Sequence, residues 1–125
     1  MPKLTGSAPV LLVSNVEKSA NYWRDAMGFR YEKLWGHPAH FCILDRGPFS
    51  LMLAQADPKD IKPHWKIVSN MWNAYFWVDD ATALYHEFKA AGAIIDYHLA
   101  KKDYGCLEFG VQDLDGHDIA FGERL

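Results

Sequence analysis

Tyr104-Gly-Cys-Leu-Glu-Phe-Gly-Val-Gln-Asp-Leu-Asp-Gly-His-Asp-Ile-Ala-Phe-Gly-Glu123 is the stretch that decides the fold of this chain. Apolar side chains alternate on both sides of its Asp-rich centre, which is the pattern of two strands joined by a tight turn. The side chain of Asp113 can bond the turn backbone, and Gly116 gives the exit its conformational freedom. The sequence therefore predicts a hairpin with strands at about 105–112 and 117–123.

The composition is that of one globular domain, 1–125, with 50% hydrophobic and 14% aromatic residues. The net charge is −3 and no basic stripe occurs, which argues against a nucleic-acid partner. No segment reaches the ~18 apolar residues that a membrane span needs, and the start lacks the apolar run of a signal peptide. Cys42 and Cys106 lie apart in apolar segments, which is typical of buried thiols in a reducing compartment. We expect a cytoplasmic protein without a membrane partner.

The same order of elements occurs twice, in modules predicted at 8–54 and 73–125. Each has an apolar strand, a capped helix with one apolar face, and three further strands. The predicted elements are a strand at 8–13, a helix from Ser14 or Asn15 to Gly28, strands at about 29–35, 39–45 and 49–54, a strand at 73–78, a helix from Asp80 to Gly92, and strands at about 93–98, 105–112 and 117–123. A proline-containing linker, 55–72, carries His64, Trp65 and Trp72. These aromatic side chains are expected either to cover a ligand or a partner subunit, or to pack over the end of a sheet.

These motifs resemble those of the vicinal oxygen chelate superfamily, which includes glyoxalase I, extradiol dioxygenases and bleomycin-resistance proteins. The matching segments are Pro9-Val-Leu-Leu-Val13, Asn15-Val-Glu-Lys-Ser19 with Tyr22-Trp23, Ala26-Met-Gly-Phe29, Tyr104-Gly105, Glu108-Phe109 and Asp113-Leu-Asp-Gly-His117. They are most similar to the bleomycin-resistance branch, although Leu114 stands where that branch usually has proline. The resemblance implies an α+β fold of two βαβββ modules, each a curled half-barrel sheet with its helix outside. It also implies a ligand site on the concave side and a homodimer with pockets between subunits.

Enzymes of this superfamily hold a divalent metal through His, Glu or Gln side chains on the first and last strand of each module. The corresponding positions in this chain are Ala8, Met52, Asn73 and Ala120. Two alanines and a methionine offer no donor for a hard or borderline cation, and a shift of one residue restores no set of ligands. We therefore predict no metal, no other cofactor and no catalytic residue.

The alternation of side chains assigns residues to the concave face. Asn73, Tyr75 and Trp77 share this face in the second module, together with Glu108 and Asp118. Strand 39–45 presents either His40, Cys42 and Leu44 or Phe41 and Ile43, since its apolar content does not decide. The candidate ligand-binding residues are Trp35, His40, Met52, Trp65, Asn73, Tyr75, Trp77, Glu108 and Asp118.

Aromatic rings with carboxylates suit a planar and partly cationic organic molecule. The first hypothesis is therefore a metal-free binding protein that sequesters an aromatic compound, as bleomycin-resistance proteins do. The second is a lyase, isomerase or dioxygenase with an unrecognised metal site or none, in which Tyr75, Glu108 or His40 acts as acid or base. The third is an interaction module whose concave face is filled by its own side chains.

Overall fold

The computed structural model describes all 125 residues and shows the two modules with a linker between them. The elements of the first module are β1 (Val10–Val13), α1 (Val16–Met27), β2 (Leu34–Trp35), β3 (Phe41–Arg46) and β4 (Phe49–Gln55). Those of the second are β5 (Ala74–Trp77), α2 (Ala81–Ala90), β6 (Ile94–Lys102), β7 (Cys106–Gln112) and β8 (Asp118–Arg124). Two short 3-10 helices, Pro58–Asp60 and His64–Lys66, lie in the linker. Neither α-helix is long and apolar enough to cross a membrane.

Both helices start at predicted caps and α1 ends at the predicted Gly28, whereas α2 ends at Ala90 with Ala91, not Gly92, as its C-terminal cap. Asn15 caps α1 by accepting a hydrogen bond from the Lys18 N–H at 3.0 Å, and Gly28 ends it with a φ of 70°. Asp80 caps α2 in the same way, through the Ala83 N–H at 3.0 Å. These caps satisfy backbone groups that have no partner within the helix.

The strands form two mixed sheets, with the orders β1-β4-β3-β2 and β5-β8-β7-β6. In each sheet the first strand of the module runs parallel to the last, and the other pairs are antiparallel. The predicted α+β fold is confirmed. The largest differences from the predicted boundaries are that the strand expected at 29–35 is reduced to β2 and a single bridge between Arg30 and Asp45, and that β6 continues to Lys102.

The two modules share one core, which is built on the helix side of both sheets. Phe109 and Phe121 stack there at 5.4 Å, and Phe29 of the first module meets Phe76 of the second at 6.0 Å. Across the junction, the Tyr22 hydroxyl donates to the Gln112 carbonyl at 2.7 Å. Because the modules join through their helix sides, the concave face of each sheet points away from the core.

Candidate ligand-binding site

The concave face of the second sheet is a grid of side chains whose register is set by strand pairing. Its three cross-strand rows are Tyr97–Gly110–Ala120–Tyr75, then Ala100–Glu108–Gly122–Trp77, then Lys102–Cys106–Arg124. Large aromatic side chains lie on the outer strands and small residues on the inner ones. The outer rings therefore have room to lean inwards over the middle of the sheet.

Two glycines provide this room. A Cβ atom added to Gly122 would lie 1.9 Å from the Tyr75 hydroxyl oxygen, and one added to Gly110 would lie 2.1 Å from the Tyr97 ring. No side chain fits at either position while the tyrosines keep these places. Glycine inside a strand often marks such a close approach, and here it brings both rings towards Glu108.

Glu108 is buried at the centre of the grid and receives three hydrogen bonds from tyrosines. Tyr75 and Tyr104 donate to its Oε1 at 2.7 and 2.6 Å, and Tyr97 donates to its Oε2 at 2.6 Å. The residue is only 1% exposed. Short hydrogen bonds to a carboxylate are stronger than neutral ones. We call these four residues the tyrosine cage.

The tyrosines of the cage are held in their protonated form. Burial raises the pKa of Tyr75, Tyr97 and Tyr104 well above the ordinary value, and hydrogen bonding to Glu108 raises these pKa values further. Tyr104 is 56% exposed, so its ring is open to solvent although its hydroxyl group is bonded to Glu108. The phenols therefore act as fixed donors and present their rings outwards.

The linker covers one side of the cage with Trp72. Its indole Nε1 donates to the Tyr97 hydroxyl at 3.0 Å, and its ring meets that of Tyr75 edge-on at 4.9 Å. On the other side, the Trp77 ring lies 4.7 Å from the Tyr75 ring and is 44% exposed. The result is a continuous aromatic surface that solvent reaches from the concave side.

Asp118 lies at the far end of this face, away from the cage. It pairs with Gln112 at the start of β8 and is 7% exposed, with its Oδ1 atom lacking a hydrogen-bond partner. Burial raises the pKa of its carboxyl group to about 6, and the neighbouring Asp96 carboxyl group raises it as well. This pair of acids favours one retained proton.

Local hydrogen bonds hold two predicted site residues in place: Trp65 in the linker and Asn73 directly after it. The Trp65 indole donates to the Gly116 carbonyl at 2.7 Å, which places it against the β7–β8 turn. The Asn73 Oδ1 atom accepts the His64 N–H at 3.0 Å. Trp65 therefore covers the end of a sheet, the second of the two roles considered from the sequence.

The first sheet offers an apolar concave face. Leu12, Trp35 and Ile43 are each at least 40% exposed there, with Met52 half-buried among the neighbouring strands. The open choice for β3 is resolved in favour of Phe41 and Ile43, because Cys42 and Leu44 are fully buried in the core.

His40 is not brought together with the other candidate residues. It lies before β3 and lines a separate hollow of about 410 Å³ with His37, Glu17 and Gln55. Its ring packs against Gly36, where an added Cβ atom would lie 2.3 Å from it. The strand period places position 40 on the same side as the buried Cys42, so the expectation that His40 lines the concave face is corrected.

A second groove, of about 650 Å³, lies between the modules and outside the predicted site. It is bounded by the β3–β4 turn on one side and by α2 and β5 on the other, with the Arg46–Glu87 ion pair at its edge. Of the candidate residues only Trp77 borders it. Neither this groove nor the hollow at His40 lies over the centre of the second concave face, where the tyrosines cover Glu108.

The candidate ligand-binding residues named from the sequence do not include six residues that the structure places on or beside the concave face: Trp72, Tyr97, Tyr104, Gly110, Gly122 and Arg124. The glycines carry a usable signal, because each interrupts an apolar strand beside a predicted aromatic strand. Tyr97 has no such signal, since register shifts on both sides of it in β6 break the simple alternation.

The chain matches a known protein family along nearly its whole length. A model of the Glyoxalase/Bleomycin resistance protein/Dioxygenase superfamily matches residues 7–121. The chain belongs to this superfamily. No curated protein sequence matches it.

Three solved structures superpose on nearly the whole length of this chain. A bleomycin-binding protein from bleomycin-producing Streptomyces verticillus, complexed with copper(II)-bleomycin, is 26% identical with a TM-score of 0.72, and the alignment covers 97% of each chain. TioX from Micromonospora sp. ML1 is 22% identical with a TM-score of 0.74, covering 96% of this chain and 98% of its own. TnmS3, an antibiotic binding protein from Streptomyces sp. CB03234, is 16% identical with a TM-score of 0.74, covering 100% and 99%. The last two show the fold alone.

The metal that enzymes of the superfamily use does not fit the residues of this chain. Ala8 and Ala120 have no donor atom, and the amide oxygen of Asn73 already accepts a backbone hydrogen bond. Met52 adds only a thioether, a soft ligand. Nowhere in the chain do three His, Cys, Asp or Glu side chains come together in a metal-holding group.

We predict that Gly122→Ala disrupts the tyrosine cage, because the new methyl group occupies the place of the Tyr75 hydroxyl. The cost is expected to be about 1–3 kcal/mol of unfolding free energy, which is typical of overpacking. Urea denaturation measures it. In a Tyr75→Leu background the same substitution should cost much less. An equal loss of unfolding free energy in the native and Tyr75→Leu backgrounds would show that the Tyr75 side chain does not require glycine at position 122.

We also predict that acidification stabilises the fold through Asp118. Its pKa is about 6 in the folded chain, above the ordinary value, so the folded state holds more protons than the unfolded state between the two values. Stability from this group is therefore present at low pH and lost as the pH rises through about 6. The thermal midpoint should be higher at about pH 5 than at about pH 7.5, and Asp118→Asn should reduce this difference.

The control is Asp103→Asn, which changes an exposed carboxylate beyond the end of β6. It should leave the difference between the two pH values unchanged. Part of the difference should survive in Asp118→Asn, because burial also raises the pKa of Asp113 to about 6. An unchanged difference in Asp118→Asn would contradict the assignment.

Proposed function

We propose that this chain is a binding protein that sequesters an aromatic small molecule without the help of a metal. The observation that carries the proposal is the aromatic surface of the second module, formed by Trp72, Tyr75, Trp77 and Tyr104 around Glu108. Hydrogen bonds within the cage hold the rings of Trp72, Tyr75 and Tyr104, whereas Trp77 packs against the Tyr75 ring. The rings of Trp77 and Tyr104 are partly open to solvent. A flat guest gains stacking and apolar burial on such a surface.

The proposed mechanism is capture on a pre-formed surface. The hydroxyl groups of Tyr75, Tyr97 and Tyr104 are already bonded, so these rings have little conformational freedom left to lose when a guest binds. The guest is then kept from its target while it remains bound. This role needs no nucleophile. A role in antibiotic resistance follows if the guest is an antibiotic, and the 26% identical relative complexed with copper(II)-bleomycin supports that possibility.

We further propose a homodimer in which the first sheet of one copy covers the second sheet of the other. The Trp77 and Tyr104 rings of the second sheet stay exposed within one chain, so one copy does not enclose a guest. The first sheet exposes an apolar face that includes Val10 at 56%, Leu12 at 43% and Ile43 at 40%. Contiguous apolar surface of this kind commonly marks an interface.

The expectation of a cationic guest depends on Glu108 and Asp118 being free to pair with it. Glu108 already accepts three hydrogen bonds, and burial raises the pKa of Asp118 to about 6. The geometry therefore supports the aromatic character of the guest more than a positive charge. A cytoplasmic location remains a prediction, consistent with the two buried free cysteines, Cys42 and Cys106.

No observation favours the second hypothesis, in which Tyr75, Glu108 or His40 acts as an acid or base. Glu108 is almost fully buried beneath the tyrosines, and His40 lies in a different hollow. The raised pKa of Tyr75 makes its phenolate harder to form than in water.

The test of the proposed capture is isothermal titration calorimetry with a bleomycin-type glycopeptide and with neutral polycyclic aromatics. We expect binding to the native chain and at least about tenfold weaker binding to Trp77→Ala, because a stacked ring contributes about 1–3 kcal/mol. Phe49→Ala is the matched control, since Phe49 is exposed to a similar degree and borders the groove that Trp77 also touches, but lies on the helix side of the first sheet beside Phe76. Equal loss in both variants, or no binding by the native chain, would refute the proposed site.

The homodimer is tested by light scattering coupled to size exclusion. The native chain should elute as a dimer, and Ile43→Glu should produce a monomer, because it buries a charge in the proposed apolar interface. Ile67→Glu serves as the control, since Ile67 is also an exposed isoleucine, at 67% against 40% for Ile43, but belongs to the linker. A native monomer, or a dimer that Ile43→Glu leaves intact, would exclude this arrangement.

A further inference from the structure

We propose that the guest carries an acidic group beside its aromatic ring, and that Arg124 and Lys102 bind this group. The inference rests on the proposed capture of an aromatic molecule and names the chemical class of that molecule. It reverses the charge that the sequence led us to expect.

The two cations stand together at one end of the aromatic surface. Arg124 pairs across the ladder with Cys106, and Cys106 pairs with Lys102. The three residues form one cross-strand row, so the two cationic side chains start two strand spacings apart, roughly 10 Å. The next row along the sheet holds Glu108 and Trp77. A guest lying on the rings therefore has both cations within reach of one of its edges.

Each cation lies over an aromatic ring of its own chain. The Arg124 guanidinium is 4.2 Å from the centre of the Trp77 ring, and the Lys102 ammonium is 4.8 Å from that of Tyr97. These cation–π contacts hold two flexible side chains above the site. A cationic guest would have to displace them, and would then remain beside two like charges.

Neither cation has an acidic partner. The ion pairs of the chain are Arg24–Asp25, Arg46–Glu87 and Lys59–Asp60, and none involves Lys102 or Arg124. The nearest carboxylate in the grid, Glu108, is buried and bonded to three hydroxyl groups. The charge that a guest meets on this end of the surface is positive.

An acidic guest satisfies all of these groups at once. A carboxylate, sulfonate or phosphate accepts paired hydrogen bonds from the planar guanidinium while the guanidinium keeps its contact with Trp77. The Lys102 ammonium supplies a second charge from the far strand. Meanwhile the ring of the guest packs on Trp77 and Tyr104, the most exposed rings of the surface, and the hydrogen bonds of the tyrosine cage stay intact. We infer an aromatic acid as the guest class.

The experiment uses three matched probes with one ring system: naphthalene-2-carboxylate, naphthalene-2-methanol and naphthalene-2-methylammonium. Tryptophan fluorescence titration of the full chain gives their dissociation constants. We expect the carboxylate to bind tightest and the ammonium weakest. Arg124→Gln and Lys102→Gln should each weaken carboxylate binding by roughly tenfold, the order expected for a lost charge-assisted hydrogen bond. Binding of the neutral alcohol should not change.

Lys101→Gln is the matched control, because Lys101 neighbours Lys102 on β6 but points to the opposite face. It should leave all three constants unchanged. Tighter binding of the ammonium probe, particularly if Arg124→Gln strengthens it, would overturn the inference and make Arg124 an internal competitor for a cation. Equal binding of all three probes would refute the charge preference alone. No binding of any probe would refute the aromatic capture as well.

Discussion

The buried carboxylate of Glu108 is the constraint on which the arrangement of the second module depends. A carboxylate removed from water without a cation beside it is costly unless its oxygens accept good hydrogen bonds. Here the donors are three tyrosine hydroxyls that come from β5, β6 and the β6–β7 turn. Each donor has to cross part of the sheet to reach Glu108, so the inner strands need small residues beneath the rings. Gly110 and Gly122 are the local consequence of a charge placed at the centre of the face.

The same constraint gives the surface its chemical character. Because the hydroxyl groups point inwards to Glu108, the rings of Tyr75 and Tyr104 present apolar faces outwards. The tyrosine hydroxyl groups, which would otherwise bind water, donate their hydrogen bonds to Glu108 beneath the surface. Trp72 connects the linker to this network through Tyr97, so the linker is part of the proposed binding surface as well as a connection between modules. Rigid rings with satisfied hydroxyls suit recognition by shape and stacking.

The fold could be predicted from the sequence because the sequence signals for its helices and strands are local. Helix caps at Asn15 and Asp80, the stop at Gly28 and the period-two pattern of β7 and β8 all act within a few residues. The same period placed Tyr75, Trp77 and Glu108 on the concave face. It did not reveal that Glu108 would be covered, because this depends on how far side chains from other strands lean. Nor did it place His40, since an apolar run has no polar side to mark its orientation.

The concave faces of the two sheets differ in chemistry, and this difference links the architecture to the proposed role. The first sheet exposes aliphatic side chains with few polar atoms, whereas the second exposes aromatic rings bordered by Lys102 and Arg124. Neither surface alone surrounds a molecule, but an apolar sheet placed over an aromatic one excludes water from both sides of a flat ring. Exclusion of water would also strengthen the attraction between the two cations and an acidic group on the guest. In the proposed complex, stacking, burial of apolar surface and the two unpaired cations together supply the binding energy.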